Sequence, residues 1–143
     1  MTSVDTRWAV DTSVAVAALD QSHRRHTVCR AVVIARTPAL AGHAAFETFS
    51  VLTRLPGPLR VDPADAVQII SEGFPEPCWL DVDSQAALLR QLRTLGLAGG
   101  SVYDALVASA AKAHGRTLLS RDARAERTYR LIGADYEWVG DRD

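Results

Sequence analysis

Apolar residues fall into two rhythms along this chain. Short unbroken runs alternate with longer stretches in which apolar positions recur every three or four residues, the signatures of buried strands and of helices with one buried face. The short runs are Arg7-Trp8-Ala9-Val10-Asp11, Ala39-Leu40-Ala41, Cys78-Trp79-Leu80-Asp81-Val82, Arg116-Thr117-Leu118-Leu119-Ser120 and Tyr136-Glu137-Trp138-Val139. Between them the periodic stretches predict helices over Val14–Leu19, His23–Arg36, His43–Leu55, Pro63–Gly73, Asp83–Leu95, Ser101–Gly115 and Ala123–Leu131. Local signals support the ends. Asp62-Pro63 reads as an N-cap followed by proline at the first helical position, Gly96 as a C′ residue, and Thr37-Pro38 as a stop. Ser101, with Asp104 three residues on, has the spacing of a capping box. Val102, Ala105, Leu106, Ser109, Ala110 and Ala113 then form a face of mostly small residues, suited to close packing on a sheet.

Strands alternating with helices imply a parallel sheet covered on both sides. The expected fold is a three-layer α/β domain with roughly five strands, spanning 1–143 as a single unit, with the residues from Gly140 expected to fray. In such sheets ligands bind beyond the carboxyl ends of the strands, near the point where the strand order reverses.

A chain of 143 residues, 48% apolar, is large enough for a real core and argues against disorder. The formal net charge of -1 provides no bulk attraction to nucleic acid or an acidic membrane. The basic side chains are nearly all arginine, Lys112 being the only lysine. Cys29 and Cys78 match no zinc spacing and sit in apolar surroundings, so they read as buried thiols. No secretory signal and no membrane-length apolar run is visible, which leads us to expect a cytoplasmic protein with no membrane partner.

Four acids change the picture. Asp11 ends the first strand, Asp122 follows the fourth, Asp104 lies in the first turn of the helix leading into that strand, and Glu47 is in the first half of the helix after the second. Each alone is open to an ordinary explanation, as a helix cap or a solvated surface group. A parallel fold would bring all four to one edge, where like charges ~4 Å apart repel by roughly 1–4 kcal/mol per pair. A divalent cation relieves that conflict, and donors that are all oxygen suit Mg²⁺ or Mn²⁺ rather than zinc. Arginines that could receive a polyanion are Arg121 and Arg124 beside Asp122, Arg54 beyond Glu47, and Arg25 in the His23–His26 run, though each also reads as a solvated surface residue.

Val10-Asp11-Thr12-Ser13, Glu47 between Phe46 and Phe49, Tyr103-Asp104-Ala105-Leu106 before an alanine-rich helix, and Leu118-Leu119-Ser120-Arg121-Asp122 resemble, in order and over essentially the whole chain, the PIN-domain family. Within it the likeness is to bacterial ribonuclease toxins of toxin–antitoxin pairs, the VapC type. Ser120 stands where that family often has threonine, and keeps the hydroxyl. The resemblance implies an endoribonuclease using Mg²⁺ or Mn²⁺. Asp11 and Asp104 would be the principal metal ligands, Glu47 and Asp122 would complete the site directly or through water, and Ser13 would support the Asp11 turn. It implies an RNA substrate, attack by a metal-activated water, a small cognate antitoxin and a homodimer.

Other magnesium-binding α/β domains fit less well. A phosphoacceptor receiver domain needs a lysine after a late strand, and Lys112 precedes the fourth; a haloacid-dehalogenase-type phosphatase needs an acid where Ser13 stands. A PIN-like binding module without enzymatic activity is the remaining alternative, and the presence of all four acids weighs against it.

Overall fold

The computed structural model describes residues 7–143; the first six residues of the expected domain lie outside the described residues. Four parallel strands form the sheet: β1 (Trp8–Val10), β2 (Ala39–Leu40), β3 (Thr117–Ser120) and β4 (Tyr136–Trp138), in the order β2-β1-β3-β4. The chain leaves β1 for β2 on one side and returns to its other side with β3. The strand order therefore reverses between β1 and β3, where such sheets open a crevice.

The α/β class is as expected, with one strand fewer among the described residues. The fifth, expected at Cys78–Val82, shrinks to a single parallel bridge between Cys78 and Ala41. Asp81 is the reason. Its carboxylate accepts the Ser84 N–H at 2.8 Å and caps a helix that already begins at Val82, one residue before the expected start at Asp83, so Val82 is drawn out of extended geometry.

Seven helices are present among the described residues: α1 (Thr12–Leu19), α2 (His26–Arg36), α3 (Ala44–Thr53), α4 (Pro63–Gly73), α5 (Val82–Leu95), α6 (Ser101–Ala113) and α7 (Glu126–Ile132). One group packs through α1, which touches α2, α3, β1 and β3; the other packs through α6, which touches α5, α7 and β3. Two helices start three residues later than the periodicity suggests. Before α2, Asp20 Oδ1 accepts from both the N–H and the hydroxyl of Ser22, and His23 Nδ1 accepts the Arg25 N–H. Such side-chain turns satisfy backbone donors that a helix would otherwise use. Before α7, Asp122 does the same to the Arg124 N–H.

The main core joins Ala9, Val10, Leu118 and Leu119 of the sheet to Val14 and Ala15 of α1 and Val107, Ala108 and Ala111 of α6. A second cluster places Ala105 and Ala110 of α6 against Leu88 of α5. Helix α6 is thus buried on two sides, which its small residues permit, while Ala113, expected on the packed face, is exposed. Ser101 is not the cap: the N-cap residue is Gly100, and the Ser101 hydroxyl donates to the Ala98 carbonyl at 2.7 Å. Both cysteines are buried free thiols. No described helix is long and apolar enough to cross a membrane.

Candidate active site

Asp11 sits at the end of β1 with its backbone still in the sheet: its N–H donates to the Leu119 carbonyl at 3.2 Å. It is 3% exposed and its carboxylate accepts three hydrogen bonds. Oδ1 accepts from the Ser13 hydroxyl at 2.6 Å and from the Val14 N–H at 3.2 Å, so Asp11 is also the N-cap of α1. Oδ2 accepts from the Tyr129 hydroxyl at 2.7 Å. Ser13 then ties two strand ends together, because its oxygen accepts the Arg121 N–H at 2.8 Å. Beyond β3, the buried Ser120 hydroxyl accepts the Asp122 N–H at 3.0 Å and fixes the turn that carries Asp122.

Asp11, Glu47, Asp104 and Asp122, with Thr12, Ser13, Val107 and Tyr129, line one cavity of about 30 Å³ at the β1/β3 reversal. One water needs roughly 10–15 Å³, so the space suits one small ion with little else. The mutual charge is evident in the proton affinities. The Asp104 carboxyl is raised to about 6, first by burial and then by the charges of Asp122, Glu47 and Asp11. Glu47 is raised by burial and by Asp11 and Asp122. Burial also raises Asp11, against the opposing hydrogen bonds from Ser120, Ser13, Tyr129 and Val14. The Tyr129 hydroxyl is pushed up by burial and by Asp11, and so stays a donor.

A divalent cation fits these residues on two grounds. The donors are all oxygen, and Thr12 Oγ1 is buried at the cavity wall without a hydrogen-bond partner. Among the described residues no three His, Cys, Asp or Glu side chains close into a tight ligand group. Mg²⁺ is ordinarily held by one or two carboxylates and keeps several waters.

Around the cavity the predicted arginines part ways. Arg124 is 93% exposed, with Nε 3.6 Å from Asp122 Oδ1. Arg54 is exposed at the C-cap of α3. Arg121 lines the neighbouring groove together with Asp122, donates to the carbonyls of Val139 and Asp141 and pairs with Asp143. Arg25 also pairs with Asp143. On the other rim His43 stacks on Tyr103 at 4.8 Å between ring centroids, its Nε2 3.9 Å from Glu47 Oε1, and burial lowers its proton affinity.

Comparison with known proteins gives the family of this fold. The PIN-domain profile covers residues 9–131. The chain belongs to the PIN-domain family. Among this PIN domain's relatives, ribonuclease VapC27 of Mycobacterium tuberculosis is 48% identical over 125 residues, covering 87% of this chain and 91% of the relative. Ribonuclease VapC40 of the same organism is 41% identical over 135 residues, covering 92% of this chain and 98% of the relative. These relatives place the chain in the VapC branch of the PIN-domain family.

Tyr129 and His43 are the site residues that the sequence pattern passed over as chemistry. Tyr129 reaches Asp11 from 118 residues away, and nothing in the stretch around it distinguishes it from a core tyrosine. His43 carried one signal, its place one turn before Glu47 on a polar helix edge.

Proposed function

We propose that this protein is a metal-dependent endoribonuclease, the toxin of a toxin–antitoxin pair, that hydrolyses RNA phosphodiester bonds at the cavity of Asp11, Glu47, Asp104 and Asp122. The observation that carries the reading is four carboxylates from four separate elements on one small cavity, each of three holding its proton more tightly than an isolated carboxyl. A fold does not keep such a charge conflict at a strand-order reversal for stability's sake. The relatives named as ribonucleases supply the reaction class.

A bound Mg²⁺ or Mn²⁺ would supply an acidified water and offset phosphate charge. The residues do the rest. Ser13, Tyr129 and the Val14 N–H hold the Asp11 carboxylate in one orientation, so little reorganisation is needed when a cation arrives. Glu47 and Asp104 border the space where a scissile phosphate would enter. Water adds to phosphorus and the 3′ oxygen departs with a proton, leaving 5′-phosphate and 3′-hydroxyl ends.

Two partners belong to the proposal, a small cognate antitoxin and a second copy of the chain in a homodimer. Phe46 and Trp79 support a partnered surface, since they are large, exposed aromatics in contact with one another. The test of the activity is incubation of total RNA with the purified chain in Mg²⁺, Mn²⁺ or EDTA, alongside folded Asp11→Asn and Asp104→Asn. Cutting that needs metal, and that drops by about two orders of magnitude or more in both variants, is expected. Cutting that survives EDTA, or that Asp104→Asn leaves intact, overturns it.

A further inference from the structure

A groove of about 470 Å³ continues from the acid cavity, sharing Thr12, Ser13, Glu47 and Asp122 with it, and runs between Arg24, Arg25 and Arg124. Asp143 lies in it. Its Oδ1 pairs with Arg25 and stands 3.9 Å from Arg24 Nη2, and its Oδ2 is 3.2 Å from Arg121 Nη2. Three guanidiniums thus converge on one carboxylate. Arg121 feels the crowding: burial and the charges of Arg25 and Arg24 lower its proton affinity. Arg25 Nε is buried with no hydrogen-bond partner.

The stretch that delivers Asp143 is seated by contacts of its own. Gly140 turns at φ 74°, where a Cβ would come within 3.2 Å of Val28 Cγ2. Arg142 lies 4.2 Å over the Trp138 ring and 2.7 Å from Glu126 Oε1. Arg121 holds the carbonyls of Val139 and Asp141. These residues lie against α2 and the exit of β3.

We propose that Arg24 and Arg25, on a floor fixed by Arg121, form a subsite for a backbone phosphate of single-stranded RNA, and that Asp143 fills it as an internal anion which RNA must displace. A phosphodiester offers the same fork as a carboxylate, two oxygens sharing one negative charge, and arginine accepts either. The subsite solves the problem posed by an acidic cavity: a polyanion needs positive charge beside the carboxylates to approach them. The tail then reduces apparent affinity by the fraction of time it occupies the subsite. The inference rests on the RNA reading above.

The test is binding of a short fluorescein-labelled single-stranded RNA by anisotropy in EDTA, so that it is read separately from cleavage. Asp143→Asn is expected to bind about three- to tenfold tighter than wild type, and Asp143→Glu to match wild type. Arg25→Ala or Arg24→Gln placed in the Asp143→Asn chain should remove the gain and lower the salt slope by about one for each charge. Equal affinity of Asp143→Asn and wild type, or a gain that survives both Arg25→Ala and Arg24→Gln, overturns the proposal. Failure of cleavage in metal with this binding pattern intact would instead overturn the nuclease reading.

Discussion

Asp11 carries two tasks in one carboxylate. As an N-cap it satisfies the Val14 N–H, and as a member of the acid cavity it is aimed by Ser13 and Tyr129. The two explanations open for this residue in the sequence are therefore not rivals: the cap holds the carboxylate in position. Tyr129 is the arm that cannot be replaced locally. Its ring is 2% exposed in the main core while its hydroxyl reaches the site. Tyr129→Phe removes a donor from a buried carboxylate, and hydrogen bonds to charged groups contribute about 1.5–3 kcal/mol. We expect chemical denaturation to show a loss of that order, with the proton affinity of Asp11 rising further. A variant as stable as wild type would show that the hydroxyl does not hold Asp11.

At the scale of elements, Glu47 depends on how β2 hands over to α3. The turn runs through Gly42, at φ 46°, where a Cβ would come within 3.2 Å of the Ala110 Cβ and 3.4 Å of the Cys78 carbonyl oxygen. Gly42→Ala therefore meets both left-handed backbone strain and a wall of α6, and we expect about 1–3 kcal/mol of destabilisation by thermal melting. No loss would mean the turn relaxes without moving α3. The alternation of elements was legible in the sequence because buried parallel strands and one-faced helices leave unmistakable periods. Cys78–Val82 misled because its apolar run has the composition of a strand, while the Asp81 cap that ends it acts through a backbone N–H. Phe46 is a case where apolar character does not mean burial: it is 64% exposed and meets Trp79 with 5.7 Å between ring centroids. Of the site, the acids were readable as strand-end and helix-start positions. The Tyr129 bond and the seating of Asp143 were not, since both join residues more than a hundred positions apart, Tyr129 to Asp11 at the cap of α1 and Asp143 to Arg25 at the cap of α2.

On the scale of the whole molecule, the acid cavity is a store of repulsion that the fold tolerates. Asp104 has its folded proton affinity raised to about 6, above about 3.9 for an unfolded aspartate. The sign follows from linkage: a carboxyl raised on folding contributes stability that is fully present below its unfolded value and is lost as pH rises through the folded one. Glu47 and Asp11 are raised in the same direction. Without metal, this site therefore makes the protein less stable between about pH 4 and pH 6 and upward. A divalent cation reverses the effect only where the carboxylates are ionised.

The measurement that tests the shared-cation account most directly is the melting temperature across that pH range, with Mn²⁺ or EDTA, for wild type and Asp104→Asn. The account predicts that Mn²⁺ stabilises the wild type above about pH 6, by about 2.7 kcal/mol at a hundred times its Kd, and has little effect near pH 4. It predicts that Asp104→Asn melts higher than wild type in EDTA at neutral pH and gains much less from Mn²⁺. A wild-type protein whose melting in EDTA and Mn²⁺ is identical at neutral pH, or an Asp104→Asn protein stabilised by Mn²⁺ as strongly as wild type, would contradict it.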